Sequence, residues 1–333
     1  MYKNIISSNP YVIAEIGANH NGNFKKACYL IESAKKANCD AVKFQSWDEN
    51  LNSKFFYKKN PNGLKSFLKY KLSFNQLAKL RKLAKKLKIN FGTTPFSNLQ
   101  LKEAVKLKCD FIKVASMDLN NFPFLEKVSD IQETVIISTG FSNEDEIKKA
   151  AEIFKRKKKR NVIFLHCVGV YPPRKAEHIN MNNLKLLKDK TGYNVGFSDH
   201  TIWPETCLVA ASLGAKVIER HFTYNKKAQG WDHSISADFL EMKNLVISLK
   251  RICKITGKYN RQLSTEEIKK SRVMRRSITI KKNIPKNIKI TPDMLDLQRP
   301  GTGIAPKFFK KIINKKSIKK LFYGNLLNKN DFK

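Results

Sequence analysis

The first two-thirds of the chain alternates between two hydrophobic periods. Eight short, largely apolar segments recur at Tyr11–Gly17, Ala41–Gln45, Asn90–Thr94, Phe111–Ser116, Thr134–Ser138, Val162–Cys167, Val195–Ser198 and Lys216–His221. Between them run lysine-studded stretches with apolar residues at i, i+3 and i+4, for example Phe74–Leu87 and Glu144–Phe154. Strands that are apolar on both faces and alternate with helices predict a parallel sheet covered on each side. Eight such units predict an α/β fold of the closed (β/α)8 type, a TIM barrel over residues 1–262. A doubly wound open sheet is the rival, but no G-x-G-x-x-G follows the first strand.

Beyond residue 262 the pattern changes. Residues 263–275 are polar and charged and predict a linker, and residues 276–333 predict a small β-clip domain. That domain would be built from short β segments at Arg276–Ile280 and Ile288–Ile290, then Asp296–Gly303 and a basic tail; it is too small for a second enzyme. One connection, Asp48 to Ser73, is long for a barrel and carries Phe55, Phe56 and Tyr57, with Trp47 just before it. A connection of that length and composition predicts an active-site lid.

Composition narrows the class of function. The 333 residues carry a net charge of +37, which raises a nucleic-acid partner as a hypothesis. Only 11 of the 65 basic residues are arginine, and the lysines are spread over nearly every helical surface rather than concentrated in a patch. The expectation is therefore no nucleic acid and a solvated lysine surface whose field would draw in a small anionic substrate. No apolar run is long enough for a membrane span, and Met1–Pro10 lacks the pattern of a secretory signal, so no membrane and a cytoplasmic location are expected. The six cysteines show no C-x-x-C spacing and read as buried thiols.

In a barrel the chemistry sits at the C-terminal mouths of the strands. Here almost every mouth offers polar groups: Glu15, Lys43 with Gln45, Thr93 and Thr94 before Phe96, Lys113 with Ser116, Ser138, His166 with Tyr171, Ser198 with His200, and Glu219 with His221. One such residue is compatible with a satisfied core hydrogen bond, but the whole set is not. Two lysines inside apolar strands are expensive to bury without partners. Converging on one mouth, they can bind a phosphate with a carboxylate, and the hydroxyls of Thr94, Ser116, Ser138 and Ser198 supply neutral donors. His200 and His221 close neighbouring strands, where two imidazoles can share a divalent cation and leave positions for water and substrate, which suits Mn²⁺ or Mg²⁺. Structural or general-base histidines are the alternative for that pair. His166 reads as packed within its strand, His233 has a weaker claim, and His20 is either a mouth residue or a turn residue.

The segments "AEIGANHNG", "VKFQ", "FGTTPF", "IKVASMDLNN", "ISTGF", "LHCVGVYPP", "GFSDHT" and "VIERHF", followed by "RRSI" and "QRPGTGI", resemble the sialic acid synthase family over nearly the whole chain. The resemblance implies a barrel joined to a C-terminal domain similar to fish type III antifreeze protein (an antifreeze-like, or SAF, domain), in a domain-swapped homodimer whose small domains cap the partners' barrels. It implies condensation of phosphoenolpyruvate with an open-chain, N-acetylated amino-sugar aldehyde, with loss of phosphate, for bacterial surface glycans. Glu15 would stabilise the developing oxocarbenium charge or act as a base. Lys43 and Lys113, with Thr94, Ser116, Ser138, Tyr171 and Ser198, would hold phosphoenolpyruvate. Gln45, Phe96, Asp118 and Asp232 would face the sugar.

His200 and His221 would bind the metal, Mn²⁺ first and Mg²⁺ or Co²⁺ next, with Glu219 orienting or deprotonating its water or else serving as a buried ion-pair partner. Arg299 and Arg275 would arrive from the other subunit, although Arg275 and Arg276 also read as a solvated pair. Two positions depart from the family: Met117 stands where Gly is usual, and Gly169 where Asn or Ser is frequent. Other readings are a TIM-barrel aldolase using Lys113 or Lys43 as a Schiff base, and a non-catalytic basic binding protein.

Overall fold

A computed structural model describes residues 2–7, 9–47, 51–257 and 260–333. The chain divides into two compact units, Met1–Gly257 and Lys258–Lys333. In the first, eight parallel strands close in sequence order: β1 Tyr11–Gly17, β2 Ala41–Ser46, β3 Asn90–Pro95, β4 Phe111–Val114, β5 Thr134–Ser138, β6 Val162–Cys167, β7 Asn194–Asp199 and β8 Val217–His221. The ring closes through β1 and β8, where Glu15 stands opposite His221, and Glu15 also faces Lys43 across β2. Beyond Glu15 the register slips at Gly17, whose φ of +50° a side chain would strain.

The helices form because apolar faces and caps agree. Phe74–Lys86 opens with a capping box of Ser73 and Gln76, and Glu144–Arg156 with one of Asn143 and Glu146. Their apolar residues join Leu30, Phe44, Phe91, Phe154 and Phe164 in the layer between strands and helices. A second apolar cluster, including Ile5, Tyr11, Ile13, Ala41, Phe111, Ile136, Ile163 and Val217, fills the barrel near the start of its strands.

Several expectations change in detail. The fourth strand stops at Val114, and Ser116–Asp118 is a 3₁₀ turn, so Ser116 sits on a bend above the strand. The predicted lid is largely helical rather than an irregular loop: Lys54–Lys59 and Pro61–Tyr70 are helices, the first capped by Ser53 and the second started by a proline. Asp48, Glu49 and Asn50, the start of that connection, lie outside the described residues, as do Met1 and Ser8 of the N-terminal segment.

In the second unit, Thr265–Met274 is a helix capped by Ser264 and Glu267, with no residue buried, where a polar linker was expected. Strands β9 Ser277–Ile280 and β10 Leu295–Gln298 pair antiparallel. Ile288–Ile290 forms an isolated antiparallel bridge, Lys289 to Lys316, and the N–H groups of Asn287 and Ile290 donate to the Ser317 and Lys315 carbonyls on either side of it. A compact core of Ile278, Ile280, Ile284, Ile290, Leu295, Ile312, Leu321 and Leu327 holds this unit together. All six cysteines are free thiols. Among the described residues no helix is long and apolar enough to cross a membrane.

Candidate active site

The strand ends of the barrel enclose a polar cavity of about 410 Å³. At its floor lies an ionic network buried almost completely. Lys43 Nζ, carried on β2, is 2.9 Å from Glu15 Oε2 and 3.2 Å from Glu219 Oε1, and it donates to Thr94 Oγ1 at 2.8 Å. Lys113 Nζ, from β4, lies 3.6 Å from Glu219 Oε2 and donates to Ser138 Oγ at 2.6 Å and to the Val114 carbonyl at 3.2 Å. Glu219 therefore spans both lysines and takes up the buried ion-pair role. Ser116, Ser198, Gln45 and Tyr171 complete the wall, with His200 and His221 beside them.

The network sets its own protonation. Burial raises the Glu15 carboxyl to about 7, and repulsion from Glu219 adds to this while Lys43 opposes it. Burial works against the Glu219 charge too, but Lys113 and Lys43 outweigh it and hold that carboxyl at about 2. The Lys43 ammonium is likewise favoured by its two carboxylates against burial, whereas burial depresses Lys113. Two neighbouring carboxylates are thus pushed apart, one ionised and one poised near neutrality, which is the arrangement that separates electrostatic and proton-transfer roles.

His200 and His221 stand with ring centroids 5.5 Å apart. The Val168 carbonyl is 2.9 Å from His200 Nδ1, which leaves Nε2 for a cation. Burial lowers the His221 pKa to about 4 and keeps that ring neutral and ligand-competent. At His200 burial is outweighed by the Cys167 sulfur and the Val168 carbonyl, raising its pKa to about 9, so cation binding there must displace a proton.

Buried acceptors point to the same place. Glu15 Oε1 and His221 Nδ1 have no hydrogen-bond partner among the described residues. Asp232 Oδ2 lies 3.7 Å from His221 Nδ1. A Cβ at Gly17 would come within 3.0 Å of Glu15 Oε1 and 3.8 Å of Asp232 Oδ2, so glycine there keeps that space open. This donor set fits a hard divalent cation that keeps waters. Among the described residues no group of three or more His, Cys, Asp or Glu side chains converges on one metal position.

The other expected residues lie elsewhere. Phe96 packs against Trp47, with ring centroids 6.4 Å apart. Asp118 accepts from Asn121 Nδ2 at 3.0 Å on the 3₁₀ turn, and its second oxygen is buried without a partner among the described residues. Arg275 and Arg299 belong to the second unit, where both are exposed and Arg299 Nε donates to the Met274 carbonyl at 3.1 Å.

The two departures also acquire neighbours. Met117 is exposed on the 3₁₀ turn. At Gly169 a Cβ would meet the Phe141 ring at 2.2 Å, and Phe141 itself has a φ of +65°. The glycine at 169 is thus matched to a ring from the next mouth.

Sequence reasoning missed two features. Asp199 pairs with Arg220 and accepts from Thr206 and Cys207, which ties β7 to β8 directly behind the two histidines. Trp231 packs with Trp47, Phe67 and Tyr70, from the insertion after β2 and the end of that strand. Its place beside Asp232 in "GWDH" was the only signal.

Comparison with known proteins adds the relatives. The NeuB family model matches residues 30–261 and the SAF domain model residues 275–333. An N,N'-diacetyllegionaminic acid synthase of Legionella pneumophila is 33% identical over 95% of this chain and 93% of its own length. A pseudaminic acid synthase of Helicobacter pylori is 30% identical over 97% of each. Among solved structures, the N-acetylneuraminic acid synthetase of Leptospira borgpetersenii superposes with a TM-score of 0.73 at 33% identity, covering 79% of this chain and 91% of that one.

Proposed function

The chain belongs to the NeuB family, and on that premise we propose that it condenses phosphoenolpyruvate with an open-chain N-acetylated amino sugar to make a nonulosonic acid for surface glycans. It is a transferase of the sialic acid synthase type. The observation that carries the reading is the buried Lys43–Glu219–Lys113 bridge beside Glu15 and two histidines. A dianionic phosphate and a carboxylate supply the counter-charge that two buried ammonium groups can use, and Thr94, Ser116, Ser138 and Ser198 add hydroxyl donors.

In this reading Lys43 and Lys113 orient phosphoenolpyruvate, and Tyr171 covers it. His200 and His221 would hold a divalent cation, Mn²⁺ in preference to Mg²⁺ or Co²⁺, and when bound it would supply Lewis-acid polarisation of the acceptor aldehyde. Carbon 3 of phosphoenolpyruvate forms the new bond to that aldehyde carbon, and the aldehyde oxygen takes up a proton. Positive charge appears at carbon 2, where the Glu15 carboxylate opposes it. Water then adds at carbon 2 and gives one proton to Glu15; the adduct's hydroxyl loses the second proton as C–O cleavage expels inorganic phosphate and leaves the keto acid, and the two protons balance those taken up by the aldehyde oxygen and the departing phosphate. Gln45, Phe96, Asp118 and Asp232 face the sugar.

We further propose a cytoplasmic homodimer in which the small domain, residues 276–333, caps the barrel of the other copy and delivers Arg299, with Arg275 coming from the end of the segment 263–275 before it. Capping would exclude bulk water so that the charges act at close range.

The test is phosphate release from phosphoenolpyruvate with Mn²⁺ and each candidate acceptor in turn. Release that requires both acceptor and metal, and that disappears in His221→Ala, supports the reading; release without acceptor refutes it. Borohydride trapping is the control for a Schiff-base aldolase, to which the depressed Lys113 amine would otherwise be suited.

A further inference from the structure

Each of the two paired histidines follows a charged residue, and the two charges are opposite. Asp199 precedes His200 in "GFSDHT", and Arg220 precedes His221 in "VIERHF". Successive side chains on a strand face opposite sides, so the histidines line the cavity while Asp199 and Arg220 turn towards the helix layer. The two charged residues are register partners across β7 and β8. They form an ion pair there, with the Asp199 side chain 0% and the Arg220 side chain 7% exposed. Among the described residues, the other ion pairs buried this fully join Lys43 or Lys113 to Glu15 or Glu219 inside the cavity. This one lies behind it.

The pair does more than join two strands. Asp199 Oδ2 also accepts from Thr206 Oγ1 and Cys207 Sγ, both at 3.1 Å, on the helix Glu205–Ser212. Asp199 Oδ1 accepts from the Thr201 N–H at 2.9 Å, and Arg220 donates to the Thr201 carbonyl at 3.3 Å. Thr201 is the residue after His200. The backbone at His200 is therefore held on both sides, by Asp199 before it and by both polar groups of Thr201 after it. Across the seam, the His221 carbonyl accepts from the Ala237 N–H at 2.8 Å. The two imidazoles, with ring centroids 5.5 Å apart, thus hang from one charged contact whose planar fork gives it direction.

Stability alone is a weak reason for such a pair. Desolvation of two buried charges offsets most of their attraction, and apolar residues of similar volume often serve as well. A cation held by two histidines, by contrast, needs exact placement, because metal–ligand distances tolerate only about 0.2 Å. Among the described residues no third His, Cys, Asp or Glu joins them at one metal position to compensate for an error. Resting on the reading of His200 and His221 as cation ligands, we propose that Asp199 and Arg220 are positioning residues that set the spacing and orientation of those two histidines for a divalent cation. They act through the backbone of β7 and β8.

The experiment measures Mn²⁺ affinity of the full chain from the electron paramagnetic resonance signal of the free ion, with a denaturation midpoint for each variant. In the double variant Asp199→Leu with Arg220→Met both charges leave together and apolar side chains fill the space, so the midpoint should stay near native. Mn²⁺ affinity should nevertheless fall about 10–100-fold, the loss expected when the support of a metal-binding histidine is removed. Arg220→Lys keeps the charge but not the fork, and its loss should be intermediate. Turnover of the double variant should recover at saturating Mn²⁺, with the phosphoenolpyruvate KM unchanged. Native Mn²⁺ affinity in the folded double variant overturns the proposal, and so does a loss of turnover that excess Mn²⁺ leaves in place. If the double variant does not fold, Arg220→Lys decides alone, and native affinity there overturns the proposal. A native protein that binds Mn²⁺ no better than His221→Ala overturns the cation reading itself, an outcome separate from an ion pair whose loss changes nothing.

Discussion

The interior of the barrel is two layers of one set of strands, and they differ in everything but geometry. Ile13, Ala41, Phe111, Ile136 and Val217 belong to the lower layer, which is apolar and buried. Two residues further along the same strands stand Glu15, Lys43, Lys113, Ser138 and Glu219, all buried and all polar. Side chains two apart on a strand share a face, so each of these five strands, β1, β2, β4, β5 and β8, carries one residue of each kind into the barrel. The lower layer contributes stability by removing apolar surface from water. The upper layer carries the desolvation of four charges, which costs stability unless each charge is paired. The proposed binding and chemistry therefore fall where the fold is least favourable, above the apolar layer that supports those strands.

The comparison is most severely tested by Glu219→Ala. Both lysines lose their shared partner, and an uncompensated buried charge costs about 3–5 kcal/mol. A lowered denaturant midpoint together with loss of phosphate release is expected; a native midpoint would mean that the lysines do not depend on Glu219.

Glu15→Gln leaves the layer nearly isosteric and should act on chemistry alone. The turnover number is expected to fall about 10²–10³-fold, with phosphoenolpyruvate affinity within a few-fold. The same variant gives the pH test. Because burial raises the Glu15 carboxyl to about 7, it is mostly protonated below that pH and becomes the competent carboxylate above it. The native kcat/KM should rise as pH increases through about 7, and that limb should vanish in Glu15→Gln; its persistence would assign the titration to another group.

Ile136→Val alters only the lower layer. It should cost about 0.5–1.5 kcal/mol of stability with kinetic constants unchanged. A change in kcat as large as that of Glu15→Gln would show the layers to be coupled.

The smallest effect is expected at the rim. Gly169→Ser must displace the Phe141 ring, which is 74% exposed and can swing aside, so a cost of about 1 kcal/mol is anticipated. In a Phe141→Ala background the same change should cost almost nothing, as thermal unfolding of the double variant will reveal.

Much of this was legible in the chain. The two periods of hydrophobicity predicted the barrel because each strand and helix must bury a face that its own sequence defines. Polar residues breaking the apolar runs marked the mouths for the same reason, since Lys43 and Lys113 have no business in a core without partners. The helices Lys54–Lys59 and Pro61–Tyr70 were read as a loop because both are short and the Asn60-Pro61 junction breaks the pattern between them. Thr265–Met274 buries no residue, so its helix shows in caps and not in hydrophobic spacing.

What the sequence by itself determined was therefore local and periodic: the order of elements, the strand mouths, and the residue types waiting there. Only the tertiary structure decided who pairs with whom. Glu219 spanning Lys43 and Lys113, Asp199 fixing Arg220, Phe141 lying over Gly169, and Trp231 meeting the insertion after β2 are contacts between residues far apart or on different strands. They exist because the barrel closes, and closure brings together side chains whose mutual distance no local pattern encodes. Protonation follows from the same cause, since Glu15 and Glu219 are chemically identical until burial and two lysines place one near 7 and the other near 2.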